Sequence, residues 1–252
     1  MSLDSNFVQA LYRGIEVIRA FAGQQQRLSL ADLAKFTSLP RATVRRTLLT
    51  LGHMGYVETD GRLFWLTPRI MELAGSYLTS NPVTRIFQPL CDRLARELGH
   101  SLSTAVLDRG EAVVVAYAHG QPMSTNEAWI GLRLPAYCTA LGRVLLSGLG
   151  EAELEDYLAG VVLDARTPFT RTDVHCVRGE IEKARVDGYS LVDQEASLGT
   201  CMVSVPIRRF DGKVVAALGF GSRVELTTVE AMLSDFLPHL QAAAADLTLS
   251  LG

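Results

Sequence analysis

The first seventy residues repeat one pattern three times: an apolar stripe at helical spacing, then residues that end a helix. Phe7, Leu11, Ile15, Ile18 and Phe21 follow at steps of four, four, three and three, one face of a helix that Gly23 stops. Ser29 stands three residues before Asp32, an N-cap followed by a carboxylate that reaches back. Leu30, Leu33 and Ala34 give this short second helix its buried side. Thr37 to Pro40 break the chain, and Pro40 suits the first turn of a third helix over 40–54, whose seam is Val44, Leu48 and Leu51. The pattern then changes. Two short extended runs, 56–59 and 63–67, flank Asp60-Gly61, a hairpin turn signal. Three helices and a small hairpin make a winged helix-turn-helix.

The second helix of such a pair places its first turns in the DNA major groove, where side chains must reach base edges and phosphates. Arg41, Thr43, Arg45 and Arg46 occupy that position, interleaved with Ala42 and Val44. Arginine pairs in two-pronged fashion with guanine, and threonine contacts phosphate or a thymine methyl. Arg62 follows the wing turn and is placed for the backbone or minor groove, and Ser29 joins these candidate DNA contacts at the start of the second helix. The competing reading is a solvated basic face on a protein-binding winged helix. Charge along the chain fits the first, and fits random surface charge equally. Residues 1–80 carry nine Lys/Arg against six Asp/Glu, a net of +3, and residues 81–252 carry fifteen against twenty-one, a net of −6. A basic unit joined to an acidic one fits a nucleic-acid reader attached to a part that avoids phosphate.

Thr67-Pro68 is a cap followed by a first-turn proline, and Ile70, Leu73, Ala74, Tyr77 and Leu78 continue as an amphipathic helix up to Asn81-Pro82. The chain is therefore divided into a winged helix-turn-helix at 1–67, a linker helix at 68–81 and a further domain at 82–252. That domain opens with a helix over 83–98. Alternating runs at 101–107, 112–117, 189–194, 203–208 and 214–220 read as strands, and helices are expected at 139–147, 151–159, 172–187 and 227–250. Helices mixed with antiparallel strands make an α+β domain.

Several function classes are excluded. The longest apolar run, 112–118, is far short of the roughly 20 residues of a membrane span. Asp4, Arg13, Glu16 and Arg19 interrupt the first twenty residues, which are no secretory signal, so the cytoplasm is expected and no membrane partner. Cys91, Cys138, Cys176 and Cys201 form no C-x-x-C pair, and His53, His100, His119, His175 and His239 show no metal spacing, so neither metal nor cofactor is expected. Gly219-Phe220-Gly221 lacks the third glycine and the following helix of a dinucleotide loop. Cys138 has no histidine near it in sequence and reads as a small buried residue rather than a nucleophile. Trp65 reads as a packing residue, not a base-stacking platform.

One segment carries possible ligand chemistry. After Pro135, small residues open a helix at Thr139, where the outward N–H groups of Ala140, Leu141 and Gly142, the Thr139 hydroxyl and the positive helix end suit a carboxylate. The competing reading is a capped helix whose small residues serve packing alone. Arg143 points to solvent, pairs with an acid or adds charge to the site.

These residues resemble the IclR family of bacterial transcription regulators, over nearly the whole chain. LPRATVRRTLLTLGHMGYV (39–57) is similar to the family's recognition helix and wing entry. LPAYCTALGRVLLSGL (134–149), GYSLVDQE (188–195) and VPIRRFDGKVVAAL (205–218) resemble the subgroup that controls aromatic-acid breakdown, of the PcaR, PcaU and PobR type. The resemblance implies a GAF-like C-terminal domain that binds a small organic acid, a linker helix, and a homodimer or dimer of dimers on palindromic double-stranded operator DNA. It implies an effector pocket at Met123, Leu134, Tyr137, Cys138, Thr139, Ala140, Leu141, Asp193, Met202, Gly219 and Gly221, in which Met123, Trp129, Leu134 and Met202 would form an apolar wall for an aromatic body. The subgroup usually has G-L-R-S where this chain has Gly199-Thr200-Cys201-Met202, and L-N-V-S where it has Leu218-Gly219-Phe220-Gly221. An arginine and two polar side chains are thus expected to be missing at or near the pocket wall. The expected function is a ligand-responsive DNA-binding regulator of an aromatic-acid catabolic operon, and not an enzyme. The alternatives are an enzyme acting on a small acid through Cys138, or a winged-helix protein-interaction module with a degenerate sensor.

Overall fold

The computed structural model describes residues 7–22, 26–80, 82–120 and 128–250. The chain divides into two compact units, 1–80 and 81–252.

In the first unit, α1 (Gln9–Arg19) is followed by a two-residue strand β1 (Leu28–Ser29), α2 (Leu30–Thr37) and α3 (Arg41–His53). The three helices enclose Val17, Leu33, Val44 and Leu48, all essentially fully buried. Ser29 starts α2 with a reciprocal cap. Its Oγ accepts from the Asp32 N–H at 3.2 Å, and the Asp32 carboxylate accepts from the Ser29 N–H at 3.0 Å. The Ser29 hydroxyl, which also donates to the Asp32 carboxylate at 2.6 Å, and then the Ser29 N–H hold the Asp32 carboxyl below the usual carboxylate range. The break before α3 is a Ser38 in left-handed conformation (φ 53°), and Pro40 is the N-cap of α3 rather than its first residue. The hairpin consists of β2 (Val57–Thr59) and β3 (Leu63–Leu66), with Val57 opposite Leu66. Asp60 Oδ1 accepts from the Arg62 and Leu63 N–H groups at 2.9 and 2.8 Å, which closes the turn at Gly61. β1 pairs with the far side of β3 and makes the wing three-stranded, although two residues are too few for alternation to reveal a strand.

The stripe on α1 is not wholly inward. Of its residues Phe21 is buried, Ile18 is half-buried, and Phe7, Leu11 and Ile15 are exposed, while the fully buried residue of α1 is Val17, which the stripe does not include. Periodicity shows that a face is apolar and not what covers it, and within this unit only the C-terminal turn of α1 reaches the core. The segment that follows opens as a 3-10 turn, Pro68–Ile70, and continues as α4 (Met71–Ser80) with Met71, Leu73 and Tyr77 exposed. Thr67 anchors its start, donating to the Gly55 carbonyl at 2.6 Å and accepting from the Arg69 N–H.

In the second unit, α5 (Pro82–Leu98) precedes β4 (Leu102–Asp108), β5 (Glu111–Ala118) and β6 (Arg133–Pro135). Then come α6 (Ala140–Ser147), α7 (Glu151–Gly160), α8 (Val174–Asp187), β7 (Ser190–Asp193), β8 (Thr200–Arg208) and β9 (Val214–Arg223). α9 (Val229–Ala231), a π-helical turn over Met232–Phe236 and α10 (Leu237–Ser250) complete the unit. The helix expected over 227–250 is thus divided, and the π turn stands just before Pro238, whose ring nitrogen has no N–H to give. The strands form one antiparallel sheet in the order β6-β5-β4-β9-β8-β7. β6 is an edge strand of three residues that sequence pattern did not reveal. Odd-numbered residues of β8 (Cys201, Val203, Val205, Ile207) face α5 and α10 in the larger core. Met202 faces the other way, with Ala217 of β9, against Leu141, Val144 and Leu145 of α6.

Arg143 settles how α6 is held. Its guanidinium is fully buried and grips the Glu195 carboxylate with two bonds of 2.8 and 2.7 Å, while its Nε donates to the Tyr137 carbonyl at 2.9 Å. Removing one partner leaves an uncompensated buried charge, so Glu195→Ala is expected to destabilise the protein by about 3–5 kcal/mol. The double change Arg143→Met with Glu195→Leu should cost less than Glu195→Ala alone. Urea unfolding measures both, and a cost for Glu195→Ala below about 1 kcal/mol would mean that the pair is solvated.

Candidate nucleic-acid interface and ligand site

On α3 the seam of Val44, Leu48 and Leu51 faces the core, which turns Arg41, Arg45 and Arg46 to the surface and leaves Thr43 half-buried. Arg62 is exposed at the wing turn. None of these four arginines forms an ion pair among the described residues, so their guanidiniums are free for phosphate or base edges. Ser29 differs. Its hydroxyl donates to Asp32 at 2.6 Å and accepts the Asp32 N–H, so the cap already uses it in both directions. Sequence reasoning missed Arg27. Its guanidinium lies 4.2 Å over the Trp65 ring and 3.9 Å from Asp60, tying the segment before α2 to the wing. Nothing local signals that contact, because the partners stand more than thirty positions away. Trp65 packs there and donates to Glu58, as a packing residue.

In the second unit the sheet face under α6 brings part of the expected pocket together. Met202 stands opposite Gly221, and Ser204 opposite Gly219, so all four share one face. The Met202 Cε and Leu141 Cδ2 fill the space above Gly219: a Cβ there would lie 2.8 and 3.0 Å from them. Leu134 packs into the same cluster, and Ala140 is fully buried in the first turn of α6. Other expected members go elsewhere. Tyr137 and Cys138 pack towards α7 and α8, and the Tyr137 hydroxyl donates to the Asp164 carbonyl at 2.6 Å. Asp193 is exposed and stands opposite Cys201, on the face away from Met202. Cys201 itself belongs to the α5–α10 core, so an arginine at that position would not face Met202. The departures that matter for this face are Met202, Gly219 and Gly221. Trp129 is 59% exposed, and Met123 lies outside the described residues.

The helix start is more committed than its spacing implies. Thr139 Oγ1 accepts the Gly142 N–H at 3.2 Å and donates to the Pro135 carbonyl at 2.8 Å. Gly142 therefore offers no donor, and the Thr139 hydroxyl is spent. The N–H groups of Ala140 and Leu141 have no partner among the described residues. Arg143 answers to Glu195 and adds no free charge.

Burial pushes the Cys138 thiol up, which disfavours the thiolate that a nucleophile needs. No group of His, Cys, Asp and Glu among the described residues is placed to hold a metal.

A winged helix with an unpaired arginine face, joined in one chain to an α+β unit with a partly filled sheet face, defines the class of two-part bacterial transcription regulators. Two matches make this specific: the IclR helix-turn-helix domain over residues 10–61, and the bacterial transcriptional regulator IclR C-terminal domain over residues 75–249. The Pca regulon regulatory protein of Pseudomonas putida is 36% identical, with 97% of this chain and 84% of that protein covered. The structure of a transcriptional regulator from Rhodococcus sp. RHA1 superposes with a TM-score of 0.87 at 39% identity, covering 97% of this chain and 98% of that one. The inducer-binding domain of an Acinetobacter PobR double mutant, in complex with 3-hydroxybenzoic acid, gives a TM-score of 0.61 at 28% identity, covering 66% of this chain and 97% of that one. The chain belongs to the IclR family, and it is a DNA-binding transcriptional regulator of the Pca and PobR kind. Its relatives are named as regulators, not as enzymes acting through a cysteine.

Two glycines give opposite expectations. A Cβ on Gly142 would lie 2.2 Å from the Ala136 Cα and 2.4 Å from its carbonyl oxygen, both backbone atoms that cannot step aside. The nearest neighbours of a Cβ on Gly219 would be side-chain atoms, the Met202 Cε at 2.8 Å and the Leu141 Cδ2 and Cγ at 3.0 and 3.4 Å. Gly142→Ala should therefore reach or exceed the roughly 1–3 kcal/mol typical of overpacking, and Gly219→Ala should stay below about 1 kcal/mol. Equal thermal shifts for the two variants would mean that the chain before α6 is not the rigid wall described.

Proposed function

We propose that the protein switches an aromatic-acid catabolic operon by reading DNA with α3 and sensing a small aromatic carboxylate on the sheet face beneath α6. The observation that carries the DNA half is the set of unpaired guanidiniums on the outer face of α3. Arg41 and Arg45 read bases, Arg46 and Arg62 hold phosphate, and Thr43 supports them. The cap engages Ser29, leaving it a positioning role at the start of α2. The reader is 1–67 and the linker 68–81, with the sensor over 82–252. Two copies, or two pairs of copies, meet a palindromic operator, one winged helix per half-site. The exposed Leu11 and Ile15 of α1 and Met71, Leu73 and Tyr77 of α4 supply apolar area for such pairing. No described helix is long and apolar enough to cross a membrane, which accords with a cytoplasmic regulator.

For the sensor half, the PobR domain supports an aromatic acid as effector. The ring rests on Leu134, Leu141 and Met202 over Gly219 and Gly221, and the carboxylate takes the N–H groups of Ala140 and Leu141 at the positive end of α6. Arg143 of α6 is bound to Glu195 and gives this face no free charge. The backbone donors therefore carry the acid, and the pocket favours aromatic acids of modest charge.

Arg41→Ala or Arg45→Ala should cost about 1–3 kcal/mol on a site selected from random-sequence DNA and relax base preference. Arg62→Ala should weaken all sequences alike and lower the salt slope by about one. Fluorescence anisotropy across a salt series reads both, and parent-like binding by the Arg41 and Arg45 variants would remove α3 from the interface. Calorimetry with 3-hydroxybenzoate tests the sensor. Gly221 has room for a side chain, its nearest neighbours lying 3.9 Å from a Cβ. Gly221→Val should therefore keep the fold and DNA binding but abolish heat of binding, and undiminished affinity would place the acid elsewhere.

A further inference from the structure

The wing has little of its own to hold it in place. A two-stranded hairpin alone is marginal in water, and the third strand here, β1, has only two residues. Leu28 of β1 stands opposite Phe64 of β3, and both face the core with Val57 and Leu66. One position earlier, the same register sets Arg27 beside Trp65, whose neighbour on the other side is Glu58 of β2. Arg27, Trp65 and Glu58 thus form one row across the outer face of the wing.

The row is joined at both steps. The Arg27 guanidinium lies 4.2 Å over the Trp65 ring, and the Trp65 indole N–H donates to Glu58 at 3.1 Å. A cation over an indole face is attracted by the ring's electron density. The same guanidinium reaches the wing tip. Its Nη1 is 3.9 Å from Asp60 Oδ2, while Asp60 Oδ1 accepts the N–H groups of Arg62 and Leu63. One carboxylate therefore has one oxygen in the turn and the other facing Arg27. Both partners are largely exposed, so this ion pair adds little to global stability. Its effect is local. It ties the turn that carries Arg62 to the segment before α2, and it offsets the Asp60 charge, which would otherwise face a phosphate approached by Arg62.

We propose that Arg27 is a positioning residue for DNA binding. Stacked on Trp65 and facing Asp60, it holds the wing turn in the orientation from which Arg62 meets a phosphate, and so rests on the reading of Arg62 as a phosphate contact.

The test is a double-mutant cycle of Arg27→Met and Arg62→Ala in the full chain. Binding to a site selected from random-sequence DNA is read by fluorescence anisotropy across a salt series. Arg27→Met keeps an apolar stem over Trp65 and removes the cation. It should weaken binding about two- to fivefold, alike on all sequences. It should add nothing to Arg62→Ala, because the two residues act through one contact. The salt slope of the double variant should equal that of Arg62→Ala. A slope lower by about one more would mean that Arg27 itself holds a second phosphate, and would overturn the positioning role. Arg27→Lys keeps a cation near Asp60 and should bind between Arg27→Met and the parent. Binding no better than that of Arg27→Met would count against the proposal. The chain has two tryptophans, Trp65 and Trp129, so fluorine NMR on fluorotryptophan-labelled protein reads the stack directly. Arg27→Met should move the Trp65 resonance, assigned through Trp65→Phe, and leave that of Trp129 in place. Parent-like binding by Arg27→Met, additive losses in the cycle or an unmoved Trp65 resonance each overturn the proposal. Parent-like binding by Arg62→Ala instead removes the phosphate role of Arg62, and the route through it falls with that reading.

Discussion

A guanidinium with no access to water organises the sensor unit. Arg143 lies on the second turn of α6, and its charge is met by Glu195, fifty-two positions later, on the loop after β7. Arg171 also reaches Glu195, at 3.5 Å, and pairs with Glu180 of α8 at 3.2 Å. The backbone N–H of Arg171 donates to the same carboxylate, and Thr170 donates to the Glu195 carbonyl. An apolar residue of similar size would fill the space and could serve stability as well. It would not fix the direction of the chain before α6, because only the Nε donor reaches the Tyr137 carbonyl. The ion pair sets geometry: it determines where Pro135 to Thr139 run, and so where the free N–H groups of α6 begin.

How much of this was legible in the sequence depends on the distance between partners. The Ser29–Asp32 cap, the α3 seam and the Asp60-Gly61 turn were readable because each is complete within one or two turns of chain. The α1 stripe was half readable, since spacing identified an apolar face but neither the buried Val17 beside it nor the lack of a cover over Phe7, Leu11 and Ile15. Arg27 over Trp65 and Arg143 on Glu195 were invisible, because a charge in sequence carries no address for its partner.

The pocket was legible only in part, for a reason of parity. Side chains alternate across a strand, so neighbours in sequence occupy opposite faces. Cys201 and Met202 are adjacent, yet one joins the α5–α10 core and the other the face under α6. Asp193 follows Cys201 through their pairing. A motif read as a string places all three at one site, and the sheet separates them. The resemblance to relatives transfers the fold and the function, while the lining must be assigned position by position.

If the face under α6 is the sensor site, as proposed, its lining sets the effector apart from those of relatives. Where a strand carries glycine, the space above it is free for either ligand or protein. Here the protein takes some of it, because the Met202 thioether terminus lies over Gly219 and approaches Gly221. Methionine is unbranched and has several rotatable bonds, so it can fill such a space without a fixed shape and yield it at small cost. A polar side chain would instead demand a hydrogen bond from whatever entered. A flexible apolar side chain in place of fixed polar ones would shift selection in the proposed site from hydrogen-bond pattern to size and ring shape. In the proposed site the carboxylate takes the N–H groups at the start of α6, whose position Arg143 sets through the Tyr137 carbonyl.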